Sequence, residues 1–202
     1  MIRFIGKLPD ECIIGFSGGV DSVAITDFLL RGKKKVSLAF FDHGTKTSKN
    51  AREFVVSFAN KRNLVIHIGE ISRERNKKES LEEYWRNERY KFFSSLNSKI
   101  ILAHHLDDAV ETWIFNSLNG NPMTIPYENK KFKIIRPFLI TPKKELIAWC
   151  VKNNLDWSQD ESNEDCRFAR NRIRNNIIPE CLKINPGLYK TVKKMYLENS
   201  YE

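Results

Sequence analysis

The chain has 202 residues, 41% hydrophobic and 11% aromatic, which is enough apolar content for a packed core and argues against disorder. A surplus of 34 basic over 25 acidic residues gives a net charge of +9 and points to a polyanionic partner, with a solubilising surface as the plainer reading. Cys12, Cys150, Cys166 and Cys181 form no C-x-x-C pair, and no run reaches the roughly 20 apolar residues of a membrane span, so metal-ribbon, redox-dithiol and membrane-spanning classes are excluded.

In chain order, the apolar run 12–16 predicts a first strand, ending at a Gly-rich turn. Residues 20–30 carry Val20, Val23, Ala24, Asp27 and Leu30 at helical spacing. A second strand over 36–41 closes on Asp42-His43-Gly44, a helix over 50–62 follows, and 64–68 is a third strand. Ser80-x-x-Glu83 is a capping box opening a helix over 80–96. A fourth strand over 99–103 runs into a helix near Asp107. Asn119, Gly120, Asn121, Pro122 and Pro126 mark a loop, 134–139 is extended, and Pro142 opens a helix reaching about Asn153. From Asp160 the chain is polar, Arg/Asn-rich and helical in two short pieces.

This alternation predicts an α/β fold, a doubly wound, mainly parallel sheet over residues 1–140, with a helical extension over 141–202. Ligands of such sheets collect at the carboxyl ends of the strands. The polar tips at 17–22, 42–44 and 104–108 all lie at such ends and are expected to converge. Acidic residues at Asp10 and Glu11 break the N-terminus too early for a signal peptide, and reduced thiols in the cytoplasm are expected.

Ser17-Gly18-Gly19-Val20-Asp21-Ser22 is the sharpest motif. Its glycines let the backbone approach a ligand, its hydroxyls and N–H groups are donors, and the following helix aims its positive end at the same place. Asp21 is placed to hold a magnesium ion bridging phosphates. Neither a Walker loop nor a G-x-G-x-x-G fingerprint is present. The motif resembles the signature of the PP-loop ATP pyrophosphatases. That resemblance implies cleavage of ATP between the α and β phosphates, adenylation of a carbonyl-type oxygen, and displacement of AMP by a nucleophile.

A second cluster, His104-His105-Leu106-Asp107-Asp108-Ala109-Val110-Glu111, sets three carboxylates on one face of a helix start, where a metal or a substrate ammonium would satisfy them. A solvated helix N-terminus is the simpler alternative. A third cluster runs from Asp160, Glu161, Ser162, Asn163 and Asp165 to Arg167, Arg170, Arg172 and Arg174, forked donors suited to phosphate.

With Arg86-x-x-Arg89-Tyr90, Arg136-Pro137-Phe138-Leu139 and Arg170-Asn171-x-x-Arg174, these stretches resemble the tRNA(Ile)-lysidine synthase family over residues 12–188. The resemblance implies ATP-dependent attachment of L-lysine to carbon 2 of the wobble cytidine in a CAU-anticodon tRNA(Ile), with release of AMP and pyrophosphate, and a homodimer would match the family. It places Ser17, Gly18, Gly19, Asp21 and Ser22 at the ATP pyrophosphate with Mg2+ on Asp21, and His43 and His104 or His105 near the nucleotide. Asp108 and Glu111 would hold the lysine and act in catalysis with Asp21. Arg86 or Arg89 would meet the lysine carboxylate, and Arg170 and Arg174 phosphate or tRNA. Within enzymes the alternative is a tRNA thiolase, which needs a cysteine beside these loops, or an amidating synthetase, which needs an ammonia supply. A non-catalytic RNA-binding relative would have no use for Asp21, Asp108 and Glu111 together.

Overall fold

The computed structural model describes residues 1–158 and 169–198. The acidic run of the third cluster, with Cys166 and Arg167, therefore lies outside the described residues.

Apolar alternation builds one six-stranded sheet in the order β3-β2-β1-β4-β6-β5. Its parallel strands are β1 (Glu11–Gly15), β2 (Lys35–Asp42), β3 (Ile66–Glu70), β4 (Ile100–Leu102) and β6 (Ile134–Ile135). The edge strand β5 (Glu128–Asn129) is antiparallel to β6. Helices α1 (Val20–Arg31), α2 (Lys46–Lys61), α3 (Leu81–Ser95), α4 (Leu106–Leu118) and α5 (Lys143–Lys152) fill the connections. After the undescribed stretch, α6 (Ala169–Arg172), five π-helical residues (Ile173–Ile177) and α7 (Ile178–Ile184) run on as one continuous rod before α8 (Leu188–Leu197).

The two-residue period of the strands sorts their side chains to opposite faces. Cys12, Ile14, Phe16, Leu38, Phe40, Ile101 and Ile135 pack with α1, α2 and α5. Ile13, Ala39, Ile100, Leu102 and Ile134 meet Tyr90 and Phe93 of α3 on the other face. A third cluster joins Val110 and Ile114 of α4 to Ile173, Ile178, Val192 and Tyr196 of the C-terminal helices. No helix among the described residues is long and apolar enough to cross a membrane.

The predicted elements fall within a few residues of those observed. Ser80 caps α3, its Oγ accepting from Glu83 N at 3.2 Å. The extended run 134–139 is a strand only at its first two residues. Proline at 137 has no N–H for a ladder, and its carbonyl instead accepts from Ile5 N at 2.9 Å. Arg3 N likewise donates to Thr141 Oγ1 at 2.9 Å, so the first residues are bound to a segment far along the chain.

Strand order reverses between β1 and β4, which pair directly through Ile13↔Ile100, Ile14↔Ile101 and Gly15↔Leu102. Their adjoining carboxyl ends form the crevice where open α/β sheets take ligands. Packing above β3 is tight: a Cβ on Gly69 would lie 2.4 Å from Phe92 Cγ. Gly69→Ala is expected to destabilise the fold by about 1–3 kcal/mol through overpacking, read as a lower urea midpoint at unchanged m-value. An unchanged midpoint would show that the Phe92 ring yields freely.

Candidate active site

The 17–22 loop turns β1 into α1. Gly18 adopts φ +82°, and a Cβ there would lie 3.0 Å from Phe54 Cδ1, so both backbone and space call for glycine. Gly19 is the N-cap of α1 and has no side chain to satisfy the first turn. Ser17 Oγ accepts from Gly19 N at 3.3 Å, while Ser22 Oγ donates to Gly19 O at 2.9 Å. The N–H groups of Val20, Asp21 and Ser22 thus have no helical carbonyl to bond and open toward the crevice.

Beside this loop, the β4 end supplies an acidic half. His105 is buried and is the N-cap of α4 in a reciprocal cap with Asp108. His105 N donates to Asp108 Oδ2 at 3.0 Å, and Asp108 N to His105 Nδ1 at 3.4 Å. The other ring nitrogen, Nε2, stands 3.5 Å from both Asp21 Oδ1 and Asp108 Oδ2, so the ring couples the phosphate loop to the carboxylates. Burial pushes the His105 pKa down, but Asp108, Asp21 and Asp107 outweigh it and leave it raised. Burial pushes Asp21 up, and the facing His105, Lys143 and Arg174 outweigh it, holding the carboxyl below its ordinary value.

Glu111, one turn along α4, is buried and clasped by two guanidinium groups. Arg170 Nη1 donates to its Oε1 at 3.0 Å and to Thr112 Oγ1 at 3.1 Å, and Arg174 Nη2 donates to its Oε2 at 2.6 Å. Arg174 Nη2 also reaches Asp108 Oδ1 at 3.3 Å. Burial lowers the Arg174 pKa, but Glu111 and Asp108 dominate and raise it. The site's acidic residues and two arginines of the third cluster therefore neutralise each other.

On the far side of the His104-His105 pair lies a basic half. Arg136, 3% exposed, donates from Nη1 to Pro126 O at 2.9 Å and from Nη2 to Tyr90 Oη at 3.2 Å, leaving its buried Nε without a hydrogen-bond partner. Arg86 and Arg89 of α3 lie over the Tyr90 ring. His43 is held between Phe41 and Trp85. Arg89 Nε, His104 Nδ1 and His43 Nδ1 are likewise buried without a partner. Burial, then Arg136, Arg89 and other neighbouring cations, drive His104 well below its ordinary pKa, and burial with Arg89 pushes His43 down to about 4. Among the described residues no carboxylate forms an ion pair with Arg86, Arg89 or Arg136. Cations gathered and desolvated in this way are suited to an anionic ligand.

The predicted site residues fall into two groups: Ser17, Gly18, Gly19, Asp21, Ser22, Asp108, Glu111, Arg170 and Arg174 in or beside the acidic half, and His43, Arg86, Arg89 and His104 in the basic one. The structure gives His105 a capping position, brings Arg136 into the basic half, and adds Lys143, with Nζ 4.0 Å from Asp21 Oδ2. The spacing His105-x-x-Asp108 is a legible cap signal; Arg136 heads a stretch of the resemblance without a role of its own, and nothing local singles out Lys143. Among the described residues no group of three side chains forms a metal cage. Asp21 Oδ1, buried and without a hydrogen-bond partner although His105 Nε2 stands 3.5 Å away, does fit a magnesium ion, which takes one or two carboxylates plus phosphate oxygens and water. Cys12 and Cys150 are buried thiols pushed up to about 11 by desolvation, far from the thiolate form a nucleophile needs.

Comparison with known proteins identifies relatives of this chain. The tRNA(Ile)-lysidine synthase of Persephonella marina is 34% identical over 194 residues, taking in 89% of this chain and 43% of that protein. That of Thermosipho africanus is 33% identical over 208 residues, 96% of this chain and 48% of its own length. The bifunctional protein TilS/HprT of Listeria monocytogenes is 31% identical over 96% of this chain and 33% of its own length. The chain thus spans a third to a half of these relatives. Among solved structures, the U34-tRNA thiolase NcsA from Methanococcus maripaludis superposes with a TM-score of 0.74 over 92% of this chain and 71% of its own, at 16% identity, a likeness of fold. The profile of the PP-loop domain matches residues 4–181. With the glycine loop at the head of α1 and its six-stranded sheet, this chain belongs to the PP-loop domain family.

Proposed function

We propose that this chain uses ATP to join L-lysine to carbon 2 of the wobble cytidine of a CAU-anticodon tRNA(Ile), through an adenylated cytidine. The observation that carries the reading is the pairing of opposite charges across His104-His105. An amino acid is anionic at one end and cationic at the other. The unpaired arginines suit its carboxylate, and Asp108 with Glu111 suit an ammonium, displacing the guanidinium groups that occupy them here. Identity of 34% and 33% to two lysidine synthases, over 89% and 96% of this chain, supports the same choice.

On this reading the 17–22 loop and the first turn of α1 hold the β and γ phosphates, with Asp21 holding magnesium. That ion would neutralise phosphate charge when bound. The cytidine O2 attacks the α phosphorus, and pyrophosphate leaves. The lysine amine gives a proton to Asp108, attacks carbon 2 and expels AMP. Arg170 and Arg174, once released, are free to meet RNA phosphate, consistent with the net charge of +9.

Mass spectrometry of nucleosides from CAU-bearing tRNA incubated with ATP and labelled lysine tests the assignment. Labelled lysidine is the expected product; sulfur incorporation, or no ATP use with that tRNA, would sink it. Asp108→Asn keeps an acceptor for His105 N–H but removes the charge. It should raise the lysine KM by about tenfold or more, the effect of one lost charge-assisted contact, while the ATP KM stays within about threefold. Equal effects on both would remove Asp108 from lysine binding.

A further inference from the structure

We propose that Lys143 binds the pyrophosphate portion of ATP and steadies it as the leaving group. The inference rests on the reading that the 17–22 loop receives ATP.

The loop offers hydroxyls and N–H groups but contains no basic residue from Ser17 to Ser22. Breaking the bond between the α phosphorus and the bridging oxygen leaves the electron pair, and a growing negative charge, on pyrophosphate. A cation must face that charge where it develops. Lys143 supplies one from another element. Its Nζ lies 4.0 Å from Asp21 Oδ2, next to the open N-terminus of α1.

The backbone that carries Lys143 is fixed. Pro142 is the N-cap of α5, and Lys143 N donates to Asp107 Oδ2 at 2.7 Å, which binds α5 to α4. Two turns on, Trp149 Nε1 donates to Asp27 Oδ2 at 2.9 Å, and Leu146 and Cys150 are fully buried in the core shared with α1. Only the four-carbon stem of Lys143 is free to adjust, and its ammonium stands beside Asp21 where α1, α4 and α5 meet.

The other ion pairs among the described residues are shorter: Lys34 to Asp10 closes at 2.7 Å, and even Arg52 to Asp42 reaches 3.6 Å. Lys143 stops at 4.0 Å, beyond hydrogen-bond reach, with its side chain 35% exposed. Its three donors are left available to a ligand in the crevice. No proton moves; the ammonium neutralises the departing oxygens and keeps its charge.

Titration calorimetry of the whole chain with inorganic pyrophosphate and Mg2+, and separately with AMP, tests this. Lys143→Ala should weaken pyrophosphate binding by about tenfold or more, in line with losing a charge-assisted contact, while AMP binding is unchanged. Lys143→Arg should recover most of the loss, and Lys144→Ala, on the exposed neighbour, should behave as wild type. Unchanged pyrophosphate binding in Lys143→Ala, or an equal loss of AMP binding, would overturn the assignment. So would a wild-type protein that binds ATP but not pyrophosphate. A wild type that binds neither ATP nor pyrophosphate would instead refute the parent reading of the loop.

Discussion

Asp21→Asn should lower AMP formation from ATP by about a thousandfold, the upper range for deleting one preorganised charged group from a catalytic centre. The substitution keeps shape and removes charge. Around Asp21 stand His105 at 3.5 Å, Lys143 at 4.0 Å and the more distant Arg174. Losing the only carboxylate of the 17–22 loop leaves Lys143 without its facing anion and removes the oxygen donor suited to magnesium. Pyrophosphate without its metal is not held in a reactive geometry, so kcat falls rather than KM alone. Radiolabelled ATP with thin-layer separation of AMP provides the readout. Turnover within threefold of wild type would remove Asp21 from the chemistry.

Glu111→Gln should lower stability by about 2–3 kcal/mol and the Tm by roughly 4–12 °C for a chain of this size. A fully buried pair broken at one partner costs more, but Arg170 and Arg174 are 37% and 32% exposed, and solvent recovers part of the loss. The amide still fills the space while two guanidinium groups lose their shared anion. A double-mutant cycle with Arg174→Gln isolates the pair, with a coupling of about 1–2 kcal/mol expected. Thermal denaturation followed by circular dichroism measures it, and additive losses would mean the 2.6 Å contact contributes nothing of its own. Lysine-dependent turnover should fall in the same variant, since Glu111 serves both the fold and the ammonium site on the proposed reading.

The sheet and its crevice were legible because local pattern sufficed. Short apolar runs at 12–16 and 36–41 place the strands, and Ser80-x-x-Glu83 marks a helix start. A loop spelled Ser17-Gly18-Gly19-Val20-Asp21-Ser22 has few other uses. Partners across the chain were not legible. The sequence shows that Arg170 and Arg174 are dense and basic, not that they turn inward onto Glu111, 59 and 63 residues earlier. Arg136 reads as part of an Arg-Pro-Phe-Leu run, and only the β4–β6 pairing brings it beside His104. Lys143 sits in a run with Lys144, and nothing in one dimension says which of the two faces Asp21. The two-residue β5 carries no alternation to detect.

The early binding of Ile5 to Pro137 and of Arg3 to Thr141 has a consequence for synthesis. At a ribosomal pace of roughly 5–20 residues per second, on the order of ten seconds separate the appearance of those partners. Until then Ile2 and Leu8, both buried in the finished core, lack the later part of that core, which includes Phe138 and Leu146. β4 waits for its neighbour β6 over a much shorter stretch. The first residues of this domain are therefore among the last to settle, after strands that follow them in sequence.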